Sequence, residues 1–282
     1  VDHIPDLAKD AALFPDFSPE IASDLRTSLE LTLDDFVTSN ATDFRQLLVG
    51  DSIHLNGRLA RLYGAELPAD AAFQKIELDK GSRAGVLSHP YLMTGFAYTA
   101  TSSPIHRGVF LARSVLGRTL RPPPEAVVPF APDLHAGMTT RERVALQTKP
   151  DACMGCHRLI NPLGFTLENF DAIGRYRKDE VGKPIDSTGS YTTRSGETKT
   201  FTGVRDLAEY LTNSDEVHAA FVQQMFHNIV KQPIRAYGSG LHGKLRQSFA
   251  SHNFSLKKLA TEILAETALT ASTNNPQTAA AK

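Results

Sequence analysis

The two cysteines of the chain fall inside one five-residue motif, Cys153-Met154-Gly155-Cys156-His157. C-x-x-C-H is the attachment pattern of c-type haem. Two thiols three positions apart can each add to one haem vinyl group, and the histidine beside the second thiol then ligates the iron from the proximal side. The motif therefore predicts one covalent haem c held by Cys153, Cys156 and His157.

Two other chemistries use a C-x-x-C pair. A structural zinc site needs four ligands, usually from a second Cys or His pair, and no second cysteine pair or nearby H-x3-5-H pair is present. A thioredoxin-like redox pair lies at a helix start after a strand, whereas Gln147-Thr148-Lys149-Pro150-Asp151 precedes this motif. Haem c is the favoured interpretation.

The residues after His157 are predicted to complete the proximal side. A ligating histidine donates its second ring nitrogen to an acceptor that fixes the ring, and a backbone carbonyl near Asn161 or Pro162 is placed to accept. Phe165, Leu167 and Phe170 are expected to wall the haem, although an ordinary core explains them equally well. The predicted haem-binding set is Cys153, Cys156, His157, Pro162 and Phe165.

The sixth iron ligand is predicted to be His89. This histidine lies in an apolar segment and precedes Pro90, which pushes it out of the helical region into a bend. A Met or His in this position favours electron transfer, whereas an open position favours ligand binding or peroxide chemistry. The alternatives left open are Met93, Met138, Met225 and His227, while His106 is expected to form structural hydrogen bonds.

Composition bounds the class of protein. The 282 residues are 41% hydrophobic and 22% charged with a net charge of −1, so no global field points to nucleic acid or an anionic membrane. No apolar run approaches the length of a transmembrane helix, and Val1–Asp6 lack the pattern of a signal peptide. Because haem c is normally attached outside the cytoplasm, we expect a processed product or a piece of a longer precursor, located in the periplasm or elsewhere outside the cytoplasm.

Hydrophobic periodicity and helix caps predict a mainly α fold: a helical c-type cytochrome-like domain with flanking helical bundles and a small β-hairpin. Ser18-Pro19 opens the first helix, and Asp51-Ser52 is read as the cap of a helix that ends at Gly64. The predicted division is an irregular leader (1–17), an N-terminal helical domain (18–120), a proline-rich connector (121–138), a haem c segment with the hairpin (139–202), a C-terminal helical domain (203–268) and a disordered tail (269–282).

Several segments resemble the cytochrome-like domain series of planctomycetes and some myxobacteria, which are domains of unknown function. The resemblance lies in Gly85–Gly117 with its Ser-Pro-Ile-His-Arg-Gly stretch, in Thr139–Arg143, in Cys153–Arg175 and in the helices from Val204 to Leu264. It implies the C-terminal portion of a larger exported protein, often with further cytochrome-like modules ahead of it. It implies no established reaction.

Three functions follow from these observations. The first is a mono-haem electron-transfer module of the cell envelope, serving a redox partner protein or a larger envelope complex. The second is a haem enzyme of peroxidase or oxidase type, or a ligand sensor, with an open distal site and an acid–base pair such as His89 beside Arg107. The third is a structural subunit that the haem staples together. The electron-transfer module is favoured over a catalytic function.

Overall fold

A computed structural model describes residues 7–39, 43–78, 81–120 and 137–273, and this part of the chain is mainly α-helical with three small antiparallel strand pairs. The helices are α1 (Pro19–Thr38), α2 (Gln46–Val49), α3 (Gly57–Tyr63), α4 (Pro90–Gly95), α5 (Pro104–Phe110), α6 (Thr140–Gln147), α7 (Asp151–Phe165), α8 (Gly203–Thr212), α9 (Asp215–Val230), α10 (Leu241–Ser251) and α11 (Leu256–Thr273). The strands are β1 (Ser52–Leu55), β2 (Gln74–Glu77), β3 (Asp179–Glu180), β4 (Lys183–Pro184), β5 (Thr188–Thr192) and β6 (Thr198–Thr202). The predicted fold class is confirmed.

The first helix begins where its cap residues predict. The Ser18 hydroxyl accepts a hydrogen bond from the Ile21 N–H at 3.4 Å, and Pro19 occupies the first turn, where its missing N–H costs nothing. Ile21, Leu25 and Leu29 recur at i, i+4 spacing and are buried along one face of α1. The apolar stripe read from the sequence is thus the face that α1 packs into the core.

Residues 52–55 correct the predicted third helix. They form β1, which pairs antiparallel with β2 so that Ile53 lies opposite Ile76. The side chains alternate, with Ile53 and Leu55 buried, which is the two-residue period of a strand. The helix starts only at α3, where the Asn56 side chain accepts from the Leu59 N–H at 3.0 Å, and it ends at Gly64 as predicted.

Helices α5 and α7 cross with their backbones in contact. A Cβ atom added at Gly164 would lie 1.8 Å from the Pro104 carbonyl oxygen, and one at Gly108 would lie 2.0 Å from that of Ile160. Only glycine permits such an approach. Since residue 104 faces 164 and residue 108 faces 160, the two helices run antiparallel. The continuation of α5 (Leu111–Val115) therefore extends toward the C-x-x-C-H end of α7.

Arg107 ties the end of α7 to α4. Its side chain is fully buried and donates to the carbonyl oxygens of Leu167 at 2.9 Å, Phe170 at 2.6 Å, Asp171 at 2.8 Å and Met93 at 3.0 Å. Its guanidinium also lies 3.8 Å from the buried Glu168 carboxylate. These bonds correct the suggestion of an acid–base pair with His89, because Arg107 is committed to holding backbone together.

The hairpin and the C-terminal helices lie close to their predicted bounds. Strands β5 and β6 pair from Thr188–Thr202 to Thr192–Thr198. Helix α11 continues to Thr273, so residues 269–273 are helical rather than part of a disordered tail. Residues 274–282 lie outside the described residues, as does all of the predicted connector except Gly137 and Met138.

One hydrophobic core runs through the described chain from Ile21 to Ile263. Side-chain hydrogen bonds to backbone carbonyls also cross the connector in both directions. Tyr63 Oη donates to the Ile173 carbonyl at 2.8 Å, Arg83 donates to that of Gly174 at 2.8 Å, and Arg205 donates back to Val49 at 2.9 Å. The predicted domain limits therefore mark stretches of sequence within a shared core.

Candidate haem site

Helix α6 and a short turn place the C-x-x-C-H motif. Thr139 and Glu142 form a reciprocal capping box at the start of α6. Thr148 ends α6, Pro150 follows, and α7 begins at Asp151, so the motif occupies the first two turns of α7. The buried residues of α7 begin at Ile160. The C-terminal part of the helix is therefore packed in the protein, whereas the motif lies in its more exposed N-terminal part.

The three motif side chains share one face of α7. At about 100° per residue, Cys156 and His157 lie about 60° and 40° to either side of Cys153. Both thiols are free, with Cys153 half-buried and Cys156 exposed. The same face carries Ile160 and Gly164, which contact α5 further along the helix. A flat group attached to both sulfurs would therefore lie over this face, toward the continuation of α5.

A hydrogen-bond chain fixes the tautomer of His157. The Thr148 hydroxyl donates to the Val144 carbonyl at 2.7 Å, so its oxygen accepts from the Asn161 amide at 2.8 Å. The Asn161 Oδ1 must then face His157 Nδ1, 2.8 Å away, and Nδ1 carries the proton. This leaves a lone pair on Nε2, the arrangement that second-sphere partners impose on metal-ligating histidines.

The acceptor for His157 is thus a side chain, where the sequence suggested a backbone carbonyl near Asn161 or Pro162. An Asn four residues after a helical His was the available signal, because i and i+4 residues are neighbours on a helix. Thr148 gave no such signal. It lies 13 positions from Asn161, and only the fold of the α6–α7 turn brings the two together.

Pro162 and Phe165 have protein partners in the structure. Pro162 lies about 180° around α7 from Cys153, and its carbonyl would be 2.1 Å from a Cβ at Gly189 of β5. The Phe165 ring is buried beneath the Arg141 guanidinium, whose Cζ is 4.2 Å from the ring centroid. Their assignment to haem binding stays a prediction from the sequence.

His89 lies in a bend before α4, as its position before Pro90 predicted, and is 4% exposed. Ser28 donates its hydroxyl to the His54 carbonyl, so it accepts from His89 Nε2 at 3.3 Å, while His89 Nδ1 accepts from the Tyr91 N–H at 3.2 Å. Burial, with the nearby charges of Arg83 and His54, lowers the pKa of His89 to about 3. Both nitrogens of a neutral ring are engaged, so iron ligation would require these bonds to break.

The other candidate sixth ligands lie in different settings. Met93 is fully buried in the core of α4, and Met138 is half-buried just before α6. Met225 is half-buried on α9, and His227 is exposed near its end. The His106 ring packs against Tyr98 with centroids 5.0 Å apart, and its backbone N–H donates to the Ser103 hydroxyl.

The donor set fits a haem c. Two free thiols at i and i+3 match two vinyl groups, and an oriented imidazole with an open Nε2 follows on the same face. Within the described ranges, no group of three or more His, Cys, Asp or Glu could hold a metal ion by itself.

The structure thus defines a mainly α protein with a histidine and two thiols arrayed on an exposed helix end. Residues 83–180, which include α5, α7 and Arg107, match a family model described as a protein of unknown function, DUF1588 (PSCyt3). Residues 1–65 match a second, described as a protein of unknown function, DUF1592 (PSD4). Both are domains of unknown function in the planctomycete cytochrome-like series, and each covers less than half of the chain.

No curated protein and no solved structure shows a significant match to the chain. The resemblance of residues 204–264 to a last domain of the series lies outside both family matches and stays a prediction. Among the helices of the described residues, none has the length and apolar character needed to cross a bilayer.

Proposed function

We propose that the chain is a mono-haem c-type module that carries electrons in the cell envelope. The observation that carries the proposal is the hydrogen-bond chain from Val144 through Thr148 and Asn161, which presents His157 with a free Nε2 beside two free thiols. Haem bound there supplies a one-electron redox centre. The cytochrome-like names of the matching families agree with this chemistry.

The chain's own residues have distinct roles in this proposal. Cys153 and Cys156 hold the group covalently, and His157 ligates it while Asn161 prevents the ring from turning. The exposed position of Met154 and Cys156 leaves one edge of the site open, which suits electron exchange with a partner protein. A redox partner or a larger envelope complex is the partner that this implies.

The test is the visible spectrum of the chain produced in a periplasm that attaches haem c. We expect the protein mass to increase by that of one haem, and the haem to stay on the protein during acid extraction. The reduced protein should show a sharp α-band. Cys153→Ser and Cys156→Ser together should abolish it, whereas Met154→Ala in the same turn should not. A wild-type chain that acquires no covalent haem under these conditions would refute the proposal.

Two further variants test the ligands of the iron. One removes the partner of His157, and the other replaces His89. Asn161→Leu removes the acceptor for His157 and so lowers the basicity of the ligating ring, which should raise the reduction potential while covalent haem is retained. His89→Asn keeps an acceptor for the Tyr91 N–H. A change to high spin in that variant assigns His89 as the sixth ligand, and an unchanged spectrum assigns another residue.

The same spectra separate the alternative functions from electron transfer. A high-spin iron that binds carbon monoxide or reacts with peroxide would replace the electron-carrier proposal with a haem enzyme or sensor. A low-spin haem that cannot be reduced and reoxidised reversibly by soluble redox dyes would favour a structural role.

A further inference from the structure

A concave site lined by none of the motif residues lies between the continuation of α5, the β5–β6 turn, α9 and α10. It has a volume of about 650 Å³. Four arginines from three segments line it: Arg113 and Arg118 from the continuation of α5 and the residues after it, Arg194 from the β5–β6 turn and Arg246 from α10. No pattern in the sequence connects these arginines, because they are spread over 133 positions and only the fold brings them together.

The positive charge of this arginine cleft is only partly neutralised within it. The carboxylates that line it are Asp215 and Glu216. Glu216 serves two of the arginines at once, lying 3.9 Å from Arg118 and 3.6 Å from Arg194. Within the described residues, Arg113 and Arg246 form no ion pair with a carboxylate. Four guanidinium groups against two carboxylates leave the cleft with an excess of positive charge.

Part of the cleft is rigid before any ligand binds. Glu216 also accepts from the Tyr191 hydroxyl and, at 2.6 Å, from the Arg194 backbone N–H. Arg194 Nη2 donates to the Gly117 carbonyl at 3.0 Å, and Arg118 Nη1 lies 3.2 Å from the Tyr191 hydroxyl. These contacts hold two guanidinium groups in fixed positions, which lowers the entropy lost when a ligand is bound.

Arg246 supplies donors that the protein leaves unused. Its Nε–H is buried and has no hydrogen-bond partner among the described residues. The guanidinium lies between this cleft and a neighbouring depression near His218, and it lines both. His242, the other basic side chain of the cleft, contacts the Ala219 carbonyl through Nε2 at 3.0 Å. An arginine without an acceptor favours an anionic ligand from outside the chain.

We propose that the arginine cleft binds a small polyanion that carries at least two carboxylate, sulfate or phosphate groups. Guanidinium groups pair with such planar or tetrahedral oxyanions through two parallel N–H···O bonds. The cleft volume is in the range that small-molecule sites occupy. The proposal does not depend on haem binding, because none of the cleft residues belongs to the C-x-x-C-H motif.

Calorimetric titration of the full chain tests this proposal, with citrate and pyrophosphate as probes and acetate as the monovalent control. The titrations use the haem-loaded chain and the Cys153→Ser, Cys156→Ser chain in parallel. We expect saturable binding of citrate or pyrophosphate with a one-to-one ratio, and none of acetate. Which probe binds more tightly distinguishes a carboxylate ligand from a phosphate ligand.

The variants Arg113→Gln and Arg246→Gln remove charge without touching Glu216. Together they should weaken binding about tenfold or more, since charge-assisted hydrogen bonds are lost. Arg235→Gln is the matched control, because Arg235 is exposed on the turn after α9 and outside the cleft. It removes the same charge as either cleft substitution alone and should change the Kd by no more than about twofold.

Three results would overturn the proposal. The first is the absence of saturable binding of either probe to both chains. The second is equal weakening by the Arg235→Gln control, which would mean that general surface charge attracts the anion. The third is binding to the haem-free chain alone, which would mean that the carboxylates of haem itself fill the cleft.

Discussion

Two histidines of this chain donate through opposite ring nitrogens. His157 donates through Nδ1 to Asn161 and keeps a lone pair on Nε2, whereas His89 donates through Nε2 to Ser28 and accepts at Nδ1. The sequence identifies both residues as candidates but cannot distinguish their states, because each tautomer is set by a partner's own hydrogen bond. Thr148 and Ser28 lie 9 and 61 positions away from the histidines that they orient.

The buried His89 predicts a pH dependence of stability. Burial lowers its pKa to about 3, below the unfolded value of about 6.5. Above about pH 6.5 the ring is neutral in both states; as the pH falls toward 3, only the unfolded chain takes up the proton, so stability is lost. The loss amounts to at most about 1.4 kcal/mol per pH unit.

Urea unfolding at a series of pH values checks this expectation for the wild type and the His89→Asn chain. Asn keeps the cap on α4 but does not titrate. The wild type should lose stability more steeply than the variant between pH 6.5 and 3. Parallel curves would show that His89 does not contribute to the pH dependence.

At the scale of elements, caps and periodicity predict most helices, and the failures have local causes. Ser18-Pro19 sets the start of the first helix, as the sequence predicts. Residues 52–55 form a strand because they pair with β2, which begins 22 residues further along the chain. A pattern read within residues 52–55 alone does not reveal this pairing. The α5–α7 crossing is likewise invisible in sequence, since Gly108 and Gly164 each fit an ordinary helix.

The crossing predicts a sharp contrast between two glycines of the same helix. Gly164→Ala places a Cβ 1.8 Å from the Pro104 carbonyl, so the helices must separate, and we expect a loss of about 3 kcal/mol or more. A Cβ at Gly155 meets nothing within 4 Å, so Gly155→Ala should stabilise the helix by about 0.5–1 kcal/mol. Both are measured by denaturant unfolding of the chain without haem. A similar effect of the two substitutions would contradict the close crossing.

At the scale of the whole molecule, the segments on either side of the connector complete each other. Arg107 from α5 holds three carbonyls of residues 167–171, and Arg83 and Tyr63 bind the carbonyls of Gly174 and Ile173. Composition and proline content suggested a division into domains there. A proline-rich connector can be recognised from a short stretch of sequence, whereas a shared core consists of contacts between residues that are far apart in the chain. The C-x-x-C-H motif thus lies on a scaffold that residues before the connector help to build.

A chain cut within residues 121–136 tests this interdependence. With a specific protease site introduced there, the two fragments should remain together on size exclusion and unfold in one transition, because separation would expose the shared core and leave the buried Arg107 without its carbonyl acceptors. Arg107→Met should weaken the cut complex, and Arg235→Gln, which changes the same charge at the surface, should not. If the fragments instead separate and each unfolds cooperatively alone, they are independent domains, and the orientation of the haem site depends only on residues 137–273.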